Sequence, residues 1–217
     1  MPTGEIPSFE IVPNNCTLST ERRLNNTSDF YIFAKQRFPG NDFFSSRGSV
    51  AELHNSRNYI CHFKSIKEAG QYRIYGYQTI GGGLIGSYFS DLFLSDQYLI
   101  KKKIDSIVNF TWTESSAESA RWEGFLRTTI SGKYLFFVAG SNVRLWIDGY
   151  MIIDEWRTQL GTRLTSASYS LKAHNQYEVV LEVRQLVLNT PVKLMWKVEG
   201  NTTEIIPPTS LFYKVKA

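Results

Sequence analysis

Apolar and polar residues alternate with a period of two along most of the chain. In segment 143–147 the side chains of Val143, Leu145 and Ile147 share one face, and segment 177–183 repeats the pattern. Successive side chains of a strand point to opposite sides of a sheet, so this period is typical of half-buried strands. No segment sustains a helical period over three turns. Turn residues separate the strands at intervals of about 8 to 12 residues, which predicts an all-β protein built as sandwiches or barrels.

The composition changes most sharply at the glycine run 81–83. Strand patterns precede this run, at 29–35 and 59–64, and they restart after it, at 84–89. A run of glycines is flexible and suits a junction between domains. We therefore predict a first domain over residues 1–79, a glycine-rich junction at 80–83 and a second domain over residues 84–217.

The composition is that of a globular protein without an obvious polyanionic partner. Hydrophobic residues make up 42% of the chain and charged residues 20%, with a net charge of +4. The basic residues are scattered except for the run 101–103, which we interpret as a solvated turn, the alternative being a protease-sensitive loop. No run approaches the roughly 18 apolar residues of a membrane span, and no signal peptide is visible. We expect no nucleic-acid partner and no direct membrane insertion.

Two features predict an extracellular or cell-surface location. The two cysteines, Cys16 and Cys61, are an even count compatible with one disulfide, although two buried free thiols are the alternative. Sequons for N-glycosylation exceed the roughly two expected by chance. These sequons lie at Asn15, Asn25, Asn26, Asn109 and Asn201.

A series of ordered motifs after residue 83 resembles the protective-antigen-type (PA14) domain, a β-sandwich found in bacterial toxins, glycosidases, yeast adhesins and eukaryotic surface proteins. The motifs include GLIGSYF at 83–89, IVNFTW at 107–112, RWEGFLRTTISGKYLFFV at 121–138 and VRLWIDGYMIIDEW at 143–156. The resemblance covers the whole second domain. It implies a PA14 β-sandwich there.

The first domain looks like a filamin-type immunoglobulin-like repeat. FYIFAKQRFPGND at 30–42 fits the strand-and-turn element of that repeat, and NYICHFKSIKEAGQYRIYGY at 58–77 fits its final hairpin. This resemblance implies an immunoglobulin-like sandwich ahead of the PA14 sandwich. Such repeats alternate with PA14 domains in long extracellular proteins.

The resemblance also directs attention to the hairpin tip at residues 140–142. In the yeast-adhesin branch of the family, two adjacent aspartates at this tip hold a Ca²⁺ ion that binds sugar hydroxyls. These positions fall on Gly140 and Ser141, neither of which is a carboxylate. Ca²⁺ prefers several charged oxygen ligands. We therefore expect the tip to turn the chain and no cofactor to be required, with weak Ca²⁺ binding through Ser141 and Asn142 as the alternative.

Other candidate binding residues follow the next strand. Asp148 and Gly149 predict a tight hairpin turn. Asp154, Trp156 and Arg157 form a segment in which a carboxylate and an aromatic face could hold a sugar ring. The alternative is that Trp156 fills the core and the carboxylates are solvated. Trp146 is either a second-layer core residue or an exposed contact.

The sequence contains no recognisable catalytic constellation. The histidines His54, His62 and His174 are dispersed, and neither a nucleophile elbow nor a phosphate-binding glycine loop is present. We therefore expect a protein that is not an enzyme.

The function predicted from these features is that of a structural and adhesive pair of modules in a larger surface protein. Its expected partners are other modules of the same or a neighbouring surface protein. The first alternative is a carbohydrate-binding module. The second is the receptor-docking part of a bacterial binary toxin.

Overall fold

The chain divides into two units. Unit 1 comprises Met1–Ile80 with Lys214–Ala217, and unit 2 comprises Gly81–Tyr213. Every described element is a strand apart from two short 3₁₀ turns, so the predicted all-β class is confirmed, and no described helix could cross a membrane. The computed structural model describes residues 8–11, 30–36, 45–52, 59–63, 72–113, 116–156, 163–186 and 188–215.

Unit 1 contains five described strands that pair antiparallel. In chain order they are β1 (Ser8–Ile11), β2 (Phe30–Gln36), β3 (Ser45–Glu52), β4 (Tyr59–Phe63) and β5 (Tyr72–Gly81). Their spatial order is β1, β4, β3, β2, β5. Strand β3 pairs with β2 through residues 45–47 and with β4 through residues 48–52. The strands predicted at 29–35 and 59–64 are confirmed.

Unit 2 contains two antiparallel sheets. Sheet I has the order β7, β6, β9, β14, β11, β12, with β17 beside the second half of β9. Sheet II has the order β13, β10, β15, with β8 and β16 both pairing with β15. The strands are β6 (Leu84–Phe89), β7 (Leu99–Asp105), β8 (Asn109–Thr111), β9 (Ser119–Arg127), β10 (Gly132–Gly140), β11 (Val143–Ile147), β12 (Tyr150–Asp154), β13 (Arg163–Leu171), β14 (Gln176–Arg184), β15 (Pro191–Val198), β16 (Glu204–Ile205) and β17 (Leu211–Val215).

The core of unit 2 lies between the two sheets, as in a sandwich. Strands β11 and β15 bury alternate residues, as the period of two predicts, and burial of one large apolar side chain contributes roughly 1.5–3 kcal/mol. Trp122 of sheet I is fully buried and its ring stacks on that of Phe110 from β8, with ring centroids 6.0 Å apart. Buried core residues include Leu126, Phe136, Val138, Leu145, Ile147, Val179, Leu181, Leu194 and Trp196.

The hairpin between β11 and β12 is closed by a two-residue turn. Asp148 and Gly149 have φ angles of 56° and 81°, and Ile147 pairs with Tyr150. A type I′ turn requires positive φ at both central residues, which Asp-Gly accommodates at little cost. The turn predicted from these two residues is confirmed.

The interpretation of the lysine run 101–103 as a solvated turn is wrong. These residues lie inside β7, which pairs only with β6 among the described strands. All of β7 except its last residue is exposed, so no apolar and polar alternation marks it in the sequence. Lysines on an edge strand also discourage pairing with other chains.

Candidate functional site

The tip between β10 and β11 is a buried turn. Ser141 is only 6% exposed and Asn142 4%. Asn142 has φ = 47°, a left-handed conformation that asparagine tolerates better than most residues. Its amide nitrogen donates a hydrogen bond to Oε1 of Gln185. The side-chain amide nitrogen of Asn142 is therefore committed to the fold.

The tip does not fit the calcium ion that the family resemblance suggests. Gly140 and Ser141 provide no carboxylate, and the Asn142 side chain is held by Gln185. A site for Ca²⁺ needs several oxygen ligands, most of them charged. In the described part of the chain, no group of three or more His, Cys, Asp or Glu residues could hold a metal ion.

The outer face of sheet I, turned away from the core, carries a row of charges across four strands. Arg121 of β9 pairs in register with Glu182 of β14, Glu182 with Arg144 of β11, and Arg144 with Asp154 of β12. Two nitrogens of Arg121 donate to Oε1 of Glu182, at 2.8 and 2.6 Å. Arg144 Nε lies 2.9 Å from Asp154 Oδ1. The alternating signs stabilise the register of the four strands.

Trp156, one of the residues predicted to bind a sugar, lies against two arginines on this face. The guanidinium carbons of Arg144 and Arg184 are 4.6 and 4.5 Å from the centre of a Trp156 ring. Arg184 also donates a hydrogen bond to the Trp156 backbone oxygen, at 2.5 Å. Trp156 is therefore neither in the core nor a free platform, because cation–π contacts occupy its ring. Its neighbour Arg157 lies outside the described residues.

A shallow cleft of about 260 Å³ opens on the same face, next to the charged row. Glu123, Val180 and Trp146 sit side by side in register on β9, β14 and β11. The Arg121–Glu182 pair bounds the cleft on one side. The full lining consists of Arg121, Glu123, Trp146, Gly149, Glu178, Val180 and Glu182.

Trp146 differs from the other four tryptophans. Trp112, Trp122 and Trp196 lie in the core, and Trp156 is covered by arginines. Trp146 is half-buried, and within the described part of the chain its indole makes no ring or cation contact. The indole can therefore offer a face to a ligand.

The remaining predicted site residues are dispersed. Asp148 belongs to the hairpin turn and Asp154 to the charged row. Asn109 and Asn201 are exposed. Cys61 lies in β4, but its side chain is not described, so the disulfide stays a prediction. Asn15, Cys16, Asn25 and Asn26 lie outside the described residues.

Sequence reasoning missed Glu123, Glu178 and Val180 as members of a site. The alternating pattern identifies which residues face outward, but not which outward residues of separate strands become neighbours. Trp146 beside an outward Arg144 was the one available signal.

Comparison with known proteins identifies relatives in bacterial regulation. The family model described as PA14 domain matches residues 82–210. The anti-sigma-I factor RsgI3 of Acetivibrio thermocellus is 33% identical over 141 residues, which is 61% of this chain and 21% of that protein. This chain therefore spans about a fifth of the length of that relative.

Two solved structures are similar over most of the chain. An anti-sigma factor domain-containing protein aligns with a TM-score of 0.57 and 21% identity, covering 86% of this chain and 80% of the other. Another, from Clostridium clariflavum, aligns with a TM-score of 0.56 and 21% identity, covering 95% of this chain and 83% of the other. At this identity the likeness is one of fold.

These findings correct the predicted function. The structural and adhesive role is wrong, because the relatives are anti-sigma factors, which are regulatory proteins. The toxin-docking alternative is wrong for the same reason. The predicted glycoprotein character has no support from a bacterial relative. The filamin-type assignment of residues 1–79 is not supported either, since the matched family model begins at residue 82.

Proposed function

Because the chain belongs to the PA14 domain family, we propose that it is the ligand-sensing part of a regulatory protein of the anti-sigma-factor type. The observation that carries this proposal is the 33% identity over 141 residues with an anti-sigma-I factor. The fold likeness to two anti-sigma factor domain-containing proteins extends over both units and supports it. In this role the chain binds its ligand without transforming it, and its partners are the other domains of the same protein.

The ligand class that suits this module is carbohydrate. Protein sites for sugars need a flat apolar surface for the C–H side of a ring and polar groups for its hydroxyls. The outer face of sheet I supplies an available indole at Trp146 and carboxylates at Glu123 and Glu178. Carboxylates are acceptors only, so they suit the hydroxyl donors of a sugar.

Sugar recognition in this chain is independent of metal. The tip that holds Ca²⁺ in the yeast adhesins is here a buried turn without a carboxylate. The ligand must therefore be held by side chains of the protein alone.

A sensing role for carbohydrate also implies a location outside the cell. A polysaccharide is too large and too polar to cross a membrane unaided, since burial of unpaired hydroxyls in hydrocarbon is costly. Its receptor must face the side on which the polymer lies. The extracellular or cell-surface location predicted from the sequence is thus part of the proposal.

A chimeric regulator tests this function. The full 217-residue chain would replace the matched 141-residue stretch of the A. thermocellus anti-sigma-I factor, with transcription from a sigma-I-dependent promoter as the readout. We expect a neutral oligosaccharide that binds the purified chain to change transcription, and one that does not bind to leave it unchanged. Transcription unaffected by every bound sugar would contradict the sensing role.

A further inference from the structure

The cleft on the outer face of sheet I has an apolar floor and polar walls. Val180 and the Trp146 indole lie next to each other in register and form the floor. Glu123 stands beside Val180 in the same row, on β9. The volume of about 260 Å³ is below the roughly 300–1,000 Å³ of pockets that enclose drug-sized ligands. This size suits one sugar ring rather than a whole oligosaccharide.

One rim of the cleft is open. Gly149, in the turn after β11, lines the cleft, and among the described residues no atom other than those of its chain neighbours lies within 4 Å of the position where its Cβ would be. An oligosaccharide that places one ring in the cleft can therefore continue past the turn. The φ of 81° at position 149 favours glycine. Because glycine has no side chain, the turn itself leaves this rim open.

The charges of the lining discriminate between kinds of sugar. Arg121 and Glu182 are paired with each other, and the lining holds two further carboxylates, Glu123 and Glu178, so its glutamates outnumber its single arginine. Within the described residues the Glu123 side chain has neither a hydrogen bond nor an ion pair. A ligand that carries carboxylates of its own would be repelled. A neutral ring would instead donate its hydroxyls to the Glu123 oxygens.

From this geometry, and resting on the proposed carbohydrate-sensing function, we infer that the cleft between Trp146 and Glu123 binds one ring of a neutral oligosaccharide. The indole of Trp146 stacks on the C–H face of the ring. Glu123 and Glu178 accept hydrogen bonds from its hydroxyls, and Arg121 donates to a ring or hydroxyl oxygen. The binding surface is thus the sheet face, not the hairpin tip.

Binding is tested by measuring the affinity of the full protein chain for a set of tetrasaccharides. Neutral cello-, manno- and galacto-oligosaccharides and an acidic oligogalacturonate would be screened on an array, and the dissociation constant of each hit would be measured by calorimetry. We expect at least one neutral sugar to bind and the acidic one not to bind. Binding of the acidic sugar alone would overturn the charge argument.

Point variants locate the site. We expect Trp146→Ala to weaken binding at least tenfold, Trp146→Phe to restore part of it, and Glu123→Gln, which keeps the shape of the side chain, to weaken it about threefold. The control is Phe93→Ala, which removes an aromatic side chain that is 78% exposed in the loop between β6 and β7 and should change binding less than twofold. Circular dichroism would verify that each variant is folded.

The outcomes separate the inference from the proposed function. If the wild-type chain binds no sugar, carbohydrate is not its ligand and the proposed function fails. If it binds a sugar and both the Trp146→Ala and Glu123→Gln variants bind equally well, only the cleft is wrong. Loss of binding in Trp156→Ala, with Trp146→Ala unaffected, would assign the site to the neighbouring loop and overturn the inference.

Discussion

Replacing the buried carboxylate of Asp105 tests how unit 2 holds its core together. The Asp105 side chain, at the end of β7, is only 3% exposed. Its Oδ2 accepts hydrogen bonds from the Tyr88 hydroxyl at 2.5 Å and from Trp122 Nε1 at 2.9 Å. Its Oδ1 lies 2.9 Å from the Lys103 ammonium. Three donors thus meet at one carboxylate.

We expect Asp105→Ala to lower the free energy of unfolding of unit 2 by about 3–4 kcal/mol. A buried donor left without its acceptor costs about 1–3 kcal/mol, and the substitution removes an acceptor from both Tyr88 and Trp122. The pair with Lys103 adds little, because that side chain is 39% exposed and solvent screens its charge.

Urea unfolding followed by tryptophan fluorescence measures this quantity for unit 2 alone. All five tryptophans lie in that unit, at positions 112, 122, 146, 156 and 196. Asp105→Asn keeps one acceptor oxygen but loses the charge, so it should lower the free energy of unfolding by about half as much. The control is Asp96→Ala, at an exposed position, which should change stability by less than about 0.5 kcal/mol. A loss below about 1 kcal/mol for Asp105→Ala would refute the reasoning.

Three further predictions concern close packing, the tip and metal. Gly124→Ala should cost about 1–3 kcal/mol, because its Cβ would lie 2.3 Å from the Phe212 backbone oxygen and 2.7 Å from Leu84 Cδ2; unchanged urea unfolding would contradict this. Asn142→Ala should be about 1 kcal/mol less stable than Asn142→Gly, since both lose the bond to Gln185 but only alanine is strained at φ = 47°; equal stability would argue against a left-handed tip. The thermal unfolding midpoint should be the same with Ca²⁺ as with a chelator. A Ca²⁺ site saturated at 100 times its Kd would instead add about 2.7 kcal/mol to the free energy of unfolding.

Much of the core of unit 2 was predictable from the sequence. The alternating pattern placed Val143, Leu145 and Ile147 on one face, and each is at most 1% exposed. The alternating pattern predicts burial because one face of such a strand packs on the core, and a shift by one residue would expose its apolar side chains.

The candidate site was not predictable in the same way. Arg121 and Glu182 are 61 residues apart in sequence, and they meet only because β9 and β14 pair in one particular register. Trp156 follows a strand, which suits a sugar-binding loop, but its contacts with Arg144 and Arg184 depend on the pairing of β11 with β14. Local patterns determine which way a side chain faces, whereas its neighbours on that face are set by strand order and register.

The most direct test of sugar sensing through protein side chains is a calorimetric titration of the full chain with the neutral tetrasaccharides, with a calcium chelator present. We predict binding with the same dissociation constant as in the presence of Ca²⁺, because the tip offers no carboxylate and the cleft needs no metal. Binding that the chelator abolishes, or no binding to any neutral sugar, would contradict the account.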